Sequence, residues 1–466
     1  MRTPIPQAKF VGRRAELDAL ERLYKRDGAS LTPVLGPRRV GKSELVLQFM
    51  RGKPGVYFLA DRSPGPAQRS RFLEESAMSL GMSGRLHGVS AERWDTALRM
   101  VRDWAPTDRK LILCLDEFPW LCKADPEMPS VLFRLWEEEW GRSGRIALLL
   151  TGSHIGTMEG YFTSNEPLFG RRVGNIRLLP LSFQEMRGFL PDYAPRELVK
   201  AWALCGGYPF YLRMLDSKVS AEQNMARTFL DPFHEVHEED VFLLREEIRS
   251  AMRYRSLLMA LSRGNTRPAD MAREAGMERS AVVPLLDTMM QLGLVDAVRP
   301  LGAETSRRVH YRIANPALRT LFAFVQPHQS ILRLRGPEPV LAALKPRLDV
   351  YWAAAFEDVC RQSLPLLYIA EGVSGTWRVG EYWNKDTQID VAGLRDDGWA
   401  DVGECKWGPI KPRQLLAELQ NKAAHFAPAA DASKVLRGFA ARAGARAVPG
   451  LKVHSLKEIV ALRPAG

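Results

Sequence analysis

An α/β fold with a parallel sheet is the prediction for the N-terminal third of this sequence, and three observations carry it. Leu31–Leu35, Leu111–Leu115 and Ile146–Leu150 are short, uninterrupted apolar runs, as strands buried on both faces of a parallel sheet must be. Each run ends in small, polar or acidic residues: Gly36, Asp116-Glu117 and Thr151-Gly152-Ser153. Helical periodicity follows the first of them, from Glu44 to Met50.

The first strand runs into Gly36-Pro37-Arg38-Arg39-Val40-Gly41-Lys42-Ser43. This is the phosphate-binding Walker A pattern G-x-x-x-x-G-K-S/T in its strand–loop–helix setting, so the expected ligand is ATP with Mg2+. Glycines let backbone N–H groups wrap phosphates at a helix N-terminus, Lys42 reaches the β and γ phosphates, and the Ser43 hydroxyl ligates Mg2+. At the end of the second strand, Asp116 is expected in the Mg2+ shell, and Glu117 is placed to orient or deprotonate the attacking water. Ser153, at the end of the third, would lie beside the γ phosphate. It could equally be a helix N-cap.

Composition bounds the rest. The chain has 466 residues, 46% hydrophobic and 26% charged, enough for several domains. No apolar run approaches the ~18–20 residues of a membrane span. The first ten residues lack the apolar core of a secretory signal. Cys114, Cys122, Cys205, Cys360 and Cys405 stand singly, without the pairing of a disulfide framework or zinc knuckle. The expectation is a cytoplasmic protein with no membrane partner. The formal charge is +12, and residues 245–348 hold 17 Lys+Arg against 9 Asp+Glu. A locally basic segment favours nonspecific DNA; it also suits a solvated, arginine-rich surface.

Within that segment Tyr254–Ser262, Arg267–Ala275 and Ser280–Leu292 read as helices. Leu294–Pro300 and Arg307–Ile313 read as a hairpin. Three helices and a hairpin make a winged helix. Its third helix is apolar at helical spacing (Val282, Leu285, Leu286, Met289), so base reading is expected only from Arg279 and Ser280. Arg299, Arg307, Arg308 and Arg312 on the wing are placed for phosphates. The other reading is a winged helix that docks on the ATPase and senses its nucleotide.

Beyond the prolines of 336–346, Asp349–Leu364 reads as a helix, and Trp377–Tyr382, Thr387–Leu394 and Trp399–Trp407 as strands, with a turn at Asp397-Gly398. A turn centred there sets Asp390 opposite Glu404, and strand alternation sends Glu404 and Lys406 to one face. Two carboxylates suit Mg2+ or Mn2+, and Lys406 can help activate water for phosphodiester hydrolysis. A solvated charged face is the other reading.

The motifs taken together resemble a known family. Phe10-Val11-Gly12-Arg13-Arg14-Ala15-Glu16-Leu17, Leu168-Phe169-Gly170-Arg171-Arg172, Leu179-Pro180-Leu181-Ser182-Phe183 and Gly206-Gly207-Tyr208-Pro209-Phe210 recur in the order seen in the prokaryotic archaeal-type P-loop ATPases of the AAA+/STAND class. The resemblance implies that Val11 and Gly12 pack on adenine, that Pro209 in a helical lid approaches the nucleotide, and that Arg171 or Arg172 is a sensor or finger. Asp390 with Glu404-Cys405-Lys406 resembles the PD-(D/E)xK nuclease pattern of that family's C-terminal domain, and Glu357 matches its helical acidic residue. Gln388-Ile389-Asp390 stands where members often have Glu-Ile-Asp.

The expected architecture is therefore a P-loop core (1–180), a helical lid (181–245), a winged helix (246–335) and a restriction-endonuclease-like α/β domain (345–466). The expected function is an ATPase acting on DNA and coupled to a nuclease-like domain. The alternative is an ATP-dependent switch with an inactive nuclease-like domain. A homo-oligomer or a protein partner is compatible with either.

Overall fold

The computed structural model describes residues 10–82, 84, 89–239, 243, 251–303, 305, 308–442 and 448–463. The chain divides into two compact units, Met1–Pro180 and Leu181–Gly466. No helix among the described residues is long and apolar enough to cross a membrane.

In the first unit, β1 (Ser30–Leu35), β2 (Gly55–Leu59), β3 (Leu111–Asp116), β4 (Ile146–Gly152) and β5 (Ile176–Arg177) form a parallel sheet in the order β2-β3-β4-β1-β5. Every residue of β1, β3 and β4 is buried, which is why their sequences run apolar without alternation. Alternation reappears in the cores they feed. Leu111, Leu113 and Leu115 enter one core, with Leu148 and Leu150, while Ile112 and Cys114 enter the other, with Ala147 and Leu149. The two-residue period of a strand thus fills both faces at once. Because β4 lies between β1 and β3, the ends of all three strands open on one edge of the sheet.

The phosphate loop leaves β1 under tight steric limits. A Cβ on Gly36 would stand 2.6 Å from the carbonyl oxygen of Leu178, and Gly41, the N-cap of the helix Lys42–Met50, has φ 94°. Gly36→Ala is expected to cost about 1–3 kcal/mol, the usual penalty for an overpacked site. Thermal unfolding of the variant reads this directly.

In the second unit, two of the family-like motifs meet. The Leu181 N–H donates to the Gly207 carbonyl at 2.8 Å, and a Cβ on Gly207 would lie 1.8 Å from the Leu181 oxygen. Ser182 caps the following helix in a capping box with Glu185, as a serine three residues before a glutamate should. Three helices, Ala251–Ser262, Pro268–Ala275 and Arg279–Gln291, precede an antiparallel hairpin, β6 (Val295–Val298) and β7 (His310–Ile313). Both strands are shorter than the alternation suggests, because the chain leaves the ladder early: the Leu301 N–H donates to Glu381, and the Leu301 side chain is buried with Tyr382 and Ile389.

The prolines of 336–346 do not form a break. One helix, Pro337–Ala370, runs through Pro346 and Pro365. Pro337 sits in its first turn, where a missing N–H costs nothing. The buried stripe Val340, Leu344, Leu348, Trp352, Phe356 and Val359 holds the helix together across the hydrogen bond that Pro346 removes. Beside it lies a mixed sheet, β12-β11-β10-β9-β8, with β8 (Trp377–Trp383), β9 (Gln388–Arg395) and β10 (Trp399–Lys406) antiparallel. β10, β11 (Ser433–Ala440) and β12 (Leu451–Ser455) are parallel.

Candidate nucleotide site

The strand ends of the first unit bring Lys42, Ser43, Asp116, Glu117 and Ser153 together. The Lys42 ammonium, almost wholly buried, donates to the carbonyls of Gly36 (2.8 Å) and Pro37 (3.1 Å) and to Ser153 Oγ (3.0 Å). These are neutral acceptors, and the charged oxygens of a phosphate make stronger, charge-assisted bonds. Ser153 Oγ in turn donates to Glu117 Oε1 at 2.7 Å. A continuous chain therefore links the loop lysine to the carboxylate after β3. Ser153 is not the helix cap: His154 fills that role, accepting from the Thr157 N–H.

Glu117 holds left-handed backbone angles, φ 54° and ψ 45°, at the N-cap of the helix Phe118–Ala124. For a non-glycine residue this conformation costs about 1–3 kcal/mol, and such strain concentrates at functional sites. Asp116 Oδ2 accepts from Ser43 Oγ (2.7 Å) and from the Tyr57 hydroxyl, and Oδ1 accepts from Thr151 Oγ1 and the Glu117 N–H (3.0 Å). Burial still pushes the Asp116 carboxyl up from its ordinary value, against the hydrogen bonds of Tyr57 and Ser43. A carboxylate that burial disfavours as an anion, with a serine hydroxyl against it, is a donor set that fits a hard divalent cation.

Three residues of this constellation are given no role by the motifs. Tyr57, on β2, is a lone polar group between buried Val56 and Phe58, with no local signal. Thr151 lies in the same strand-end triplet as Ser153. Arg13, within the upstream motif, donates to the Val40 carbonyl at 3.1 Å and pairs with Glu16 at 3.0 Å, so it braces the phosphate loop. Arg38, Arg39 and Val11 are half-buried, Gly12 is exposed and Val40 is in the core. Arg171 is tied to Glu137 at 2.6 Å and lies over the Phe133 ring. Pro209 opens the short helix Pro209–Leu212 of the second unit.

In the mixed sheet, Val391 pairs with Gly403, which sets Asp390 opposite Glu404. Asp390 Oδ2 accepts the Cys405 N–H at 3.0 Å. Glu404 is bound by two ammoniums, Lys406 at 3.0 Å and Lys422. Burial, then the charge of Asp390, raises the Glu404 carboxyl, and the same two causes lift Glu357 to about 8. Among the described residues no group of three or more His, Cys, Asp or Glu side chains is arranged to hold a metal ion. The wing arginines also divide. Arg299 and Arg308 are exposed, and Arg307 lies outside the described residues. Arg312 is exposed too, but it lies 3.5–3.8 Å from Asp296, Asp358 and Glu381, so carboxylates of this chain already share its charge. The Val282, Leu285, Leu286 and Met289 face of the third helix is core.

Residues 10–215 match the family described as an ATPase domain predominantly from Archaea. Residues 321–417 match a family described as "Archaea bacterial proteins of unknown function". An uncharacterized protein of Methanocaldococcus jannaschii is 23% identical over 420 residues, 87% of this chain and 89% of that relative. Among solved structures, a Walker-type ATPase of Pyrococcus abyssi superposes with a TM-score of 0.51 at 18% identity, over 67% of this chain and 96% of its own. The Aeropyrum pernix ORC2 protein gives 0.48 at 16% identity, over 72% and 98%.

Proposed function

We propose that the P-loop ATPase domain at residues 10–215 uses its strand-end constellation to hydrolyse ATP, and that the cycle serves DNA bound by the second unit. The observation that carries the reading is the bonded chain Lys42–Ser153–Glu117 beside Ser43–Asp116. Lys42 would take the phosphate charge in place of loop carbonyls. Ser43 and Asp116 would hold Mg2+, which supplies charge neutralisation between the phosphates. Glu117 would orient the water, and Ser153 keeps its carboxylate facing the lysine. In the second unit, the three helices and hairpin are read as a winged helix, and the exposed Arg299 and Arg308 as phosphate contacts. Replacing both with Ala should weaken binding to all DNA sequences alike and lower the salt slope by up to about two units, roughly one per contact. Fluorescence anisotropy across a salt series measures it, and an unchanged slope moves the contact elsewhere.

A second reading rests on Asp390 standing opposite Glu404, where burial and then the charge of Asp390 raise both Glu404 and Glu357, a cost that a divalent cation would relieve. Here the C-terminal α/β region is a PD-(D/E)xK nuclease-like domain, and Lys406 would position the attacking water. Asp390→Ala should then abolish Mn2+-dependent nicking of supercoiled DNA while ATP hydrolysis persists. Nicking by the parent that survives in the variant would remove Asp390 from that role.

A further inference from the structure

On the second unit, a cleft of about 440 Å³ opens where the start of the helix Pro268–Ala275, the start of Arg279–Gln291, the end of the hairpin loop and the turn after β8 come together. Its wall carries Arg267, Arg279, Arg308 and Lys385, and no acidic residue lines it. Among the described residues Arg267, Arg279 and Lys385 form no ion pair, and all four cations are exposed. Two helix N-termini add their partial positive charge to the same space.

An aromatic surface stands among these cations. The Trp383 indole is stacked on the His310 imidazole, with centroids 4.6 Å apart and planes at 15°. His310 comes from β7 and Trp383 from the end of β8, so the pair joins the hairpin to the mixed sheet. Burial, then the neighbouring Arg267 charge, lowers the His310 pKa, so the imidazole backs the indole as a neutral ring. Cations flanking a fixed aromatic platform are the chemistry that holds a single strand: phosphates on the basic wall, an unpaired base on the ring. A base in a duplex has no free face to offer. The volume lies within the ~300–1,000 Å³ range of small-ligand pockets, suited to a nucleotide or so rather than to a double helix. Beyond Arg279 and Ser280 at its start, the mid-helix exposed residues of the third helix, Val283, Pro284 and Asp287, are apolar or acidic.

We infer that this cleft binds single-stranded nucleic acid, with phosphates at Arg267, Arg279, Arg308 and Lys385 and a base stacked at Trp383. The inference rests on the DNA reading above and names the strand form and the residues that meet it.

The test is anisotropy of a labelled oligo-dT strand and of a matched duplex, with the full chain and three variants. The parent should bind the single strand more tightly. Trp383→Ala should weaken single-strand binding roughly tenfold, as loss of one base stack does, and Trp383→Phe should restore most of it. The Arg279→Ala/Lys385→Ala pair, on the surface and away from the core, should lower the single-strand salt slope by about 1.4, roughly 0.7 per contact. If the parent binds DNA but Trp383→Ala and the charge pair leave the single-strand affinity unchanged, the cleft is wrong and the DNA reading stands. Equal losses in Trp383→Ala and Trp383→Phe, with the charge pair silent, also overturn it. No binding of either DNA by the parent overturns both.

Discussion

Lys42→Ala is expected to abolish ATP hydrolysis and to weaken ATP binding. The ammonium is buried at the head of the helix Lys42–Met50, where it donates to two loop carbonyls and Ser153. Removing it takes away the point charge that would meet the β and γ phosphates and the donor to Ser153. Losing a single preorganised donor aimed at developing charge costs about 10²–10³ in rate, and a charge-bearing donor stands at the upper end. Phosphate release and titration with a fluorescent ATP analogue measure the two effects. Hydrolysis within a few fold of the parent would remove Lys42 from the phosphate site.

Glu117→Gln is expected to separate the two properties. The amide keeps the size of the side chain and can still bond to Ser153 Oγ, while the backbone carrying it stays left-handed. Ground-state contacts to ATP are therefore preserved. The amide cannot take a proton from water, and positioned acid–base groups contribute about 10²–10⁴ in rate. The variant should bind ATP at parental affinity and turn over at least about a hundredfold more slowly. Turnover at the parental rate would give the water-orienting role to another group.

Much of this was legible because the N-terminal sheet leaves no choice to its strands. Strands buried on both faces must be apolar throughout, and the polar residues that follow them fall on the one edge where a ligand can reach. The triplet ending β4 is the instructive case: its serine was open to two readings by spacing, and the bonds to Lys42 and Glu117, with His154 taking the cap, settle its contacts. Tyr57 and Thr151 were hidden because their partner, Asp116, is distant in sequence and met only across the sheet.

Elsewhere local signals misled for physical reasons. Pro346 marks a break only where burial is too weak to carry a helix past one lost hydrogen bond, and the stripe from Val340 to Val359 is not weak. Arg312 is as solvent-exposed as its strand position suggests, but its charge is shared with Asp358 and Glu381, which belong to elements well beyond the hairpin in sequence. The cleft at Trp383 lay beyond reach for the same reason, since its cations and its ring come from four separate segments.

The central claim, that this constellation hydrolyses ATP rather than merely holding it, is tested most directly by phosphate release from purified full-length chain supplied with ATP and Mg2+. Single-stranded DNA is present or absent, and the Glu117→Gln variant runs in parallel. The account predicts Mg2+-dependent release by the parent that EDTA stops and the variant lacks, at equal ATP occupancy of the two proteins. ATP bound stoichiometrically by the parent with no phosphate released, under any of these conditions, would contradict it and leave a nucleotide-gated switch.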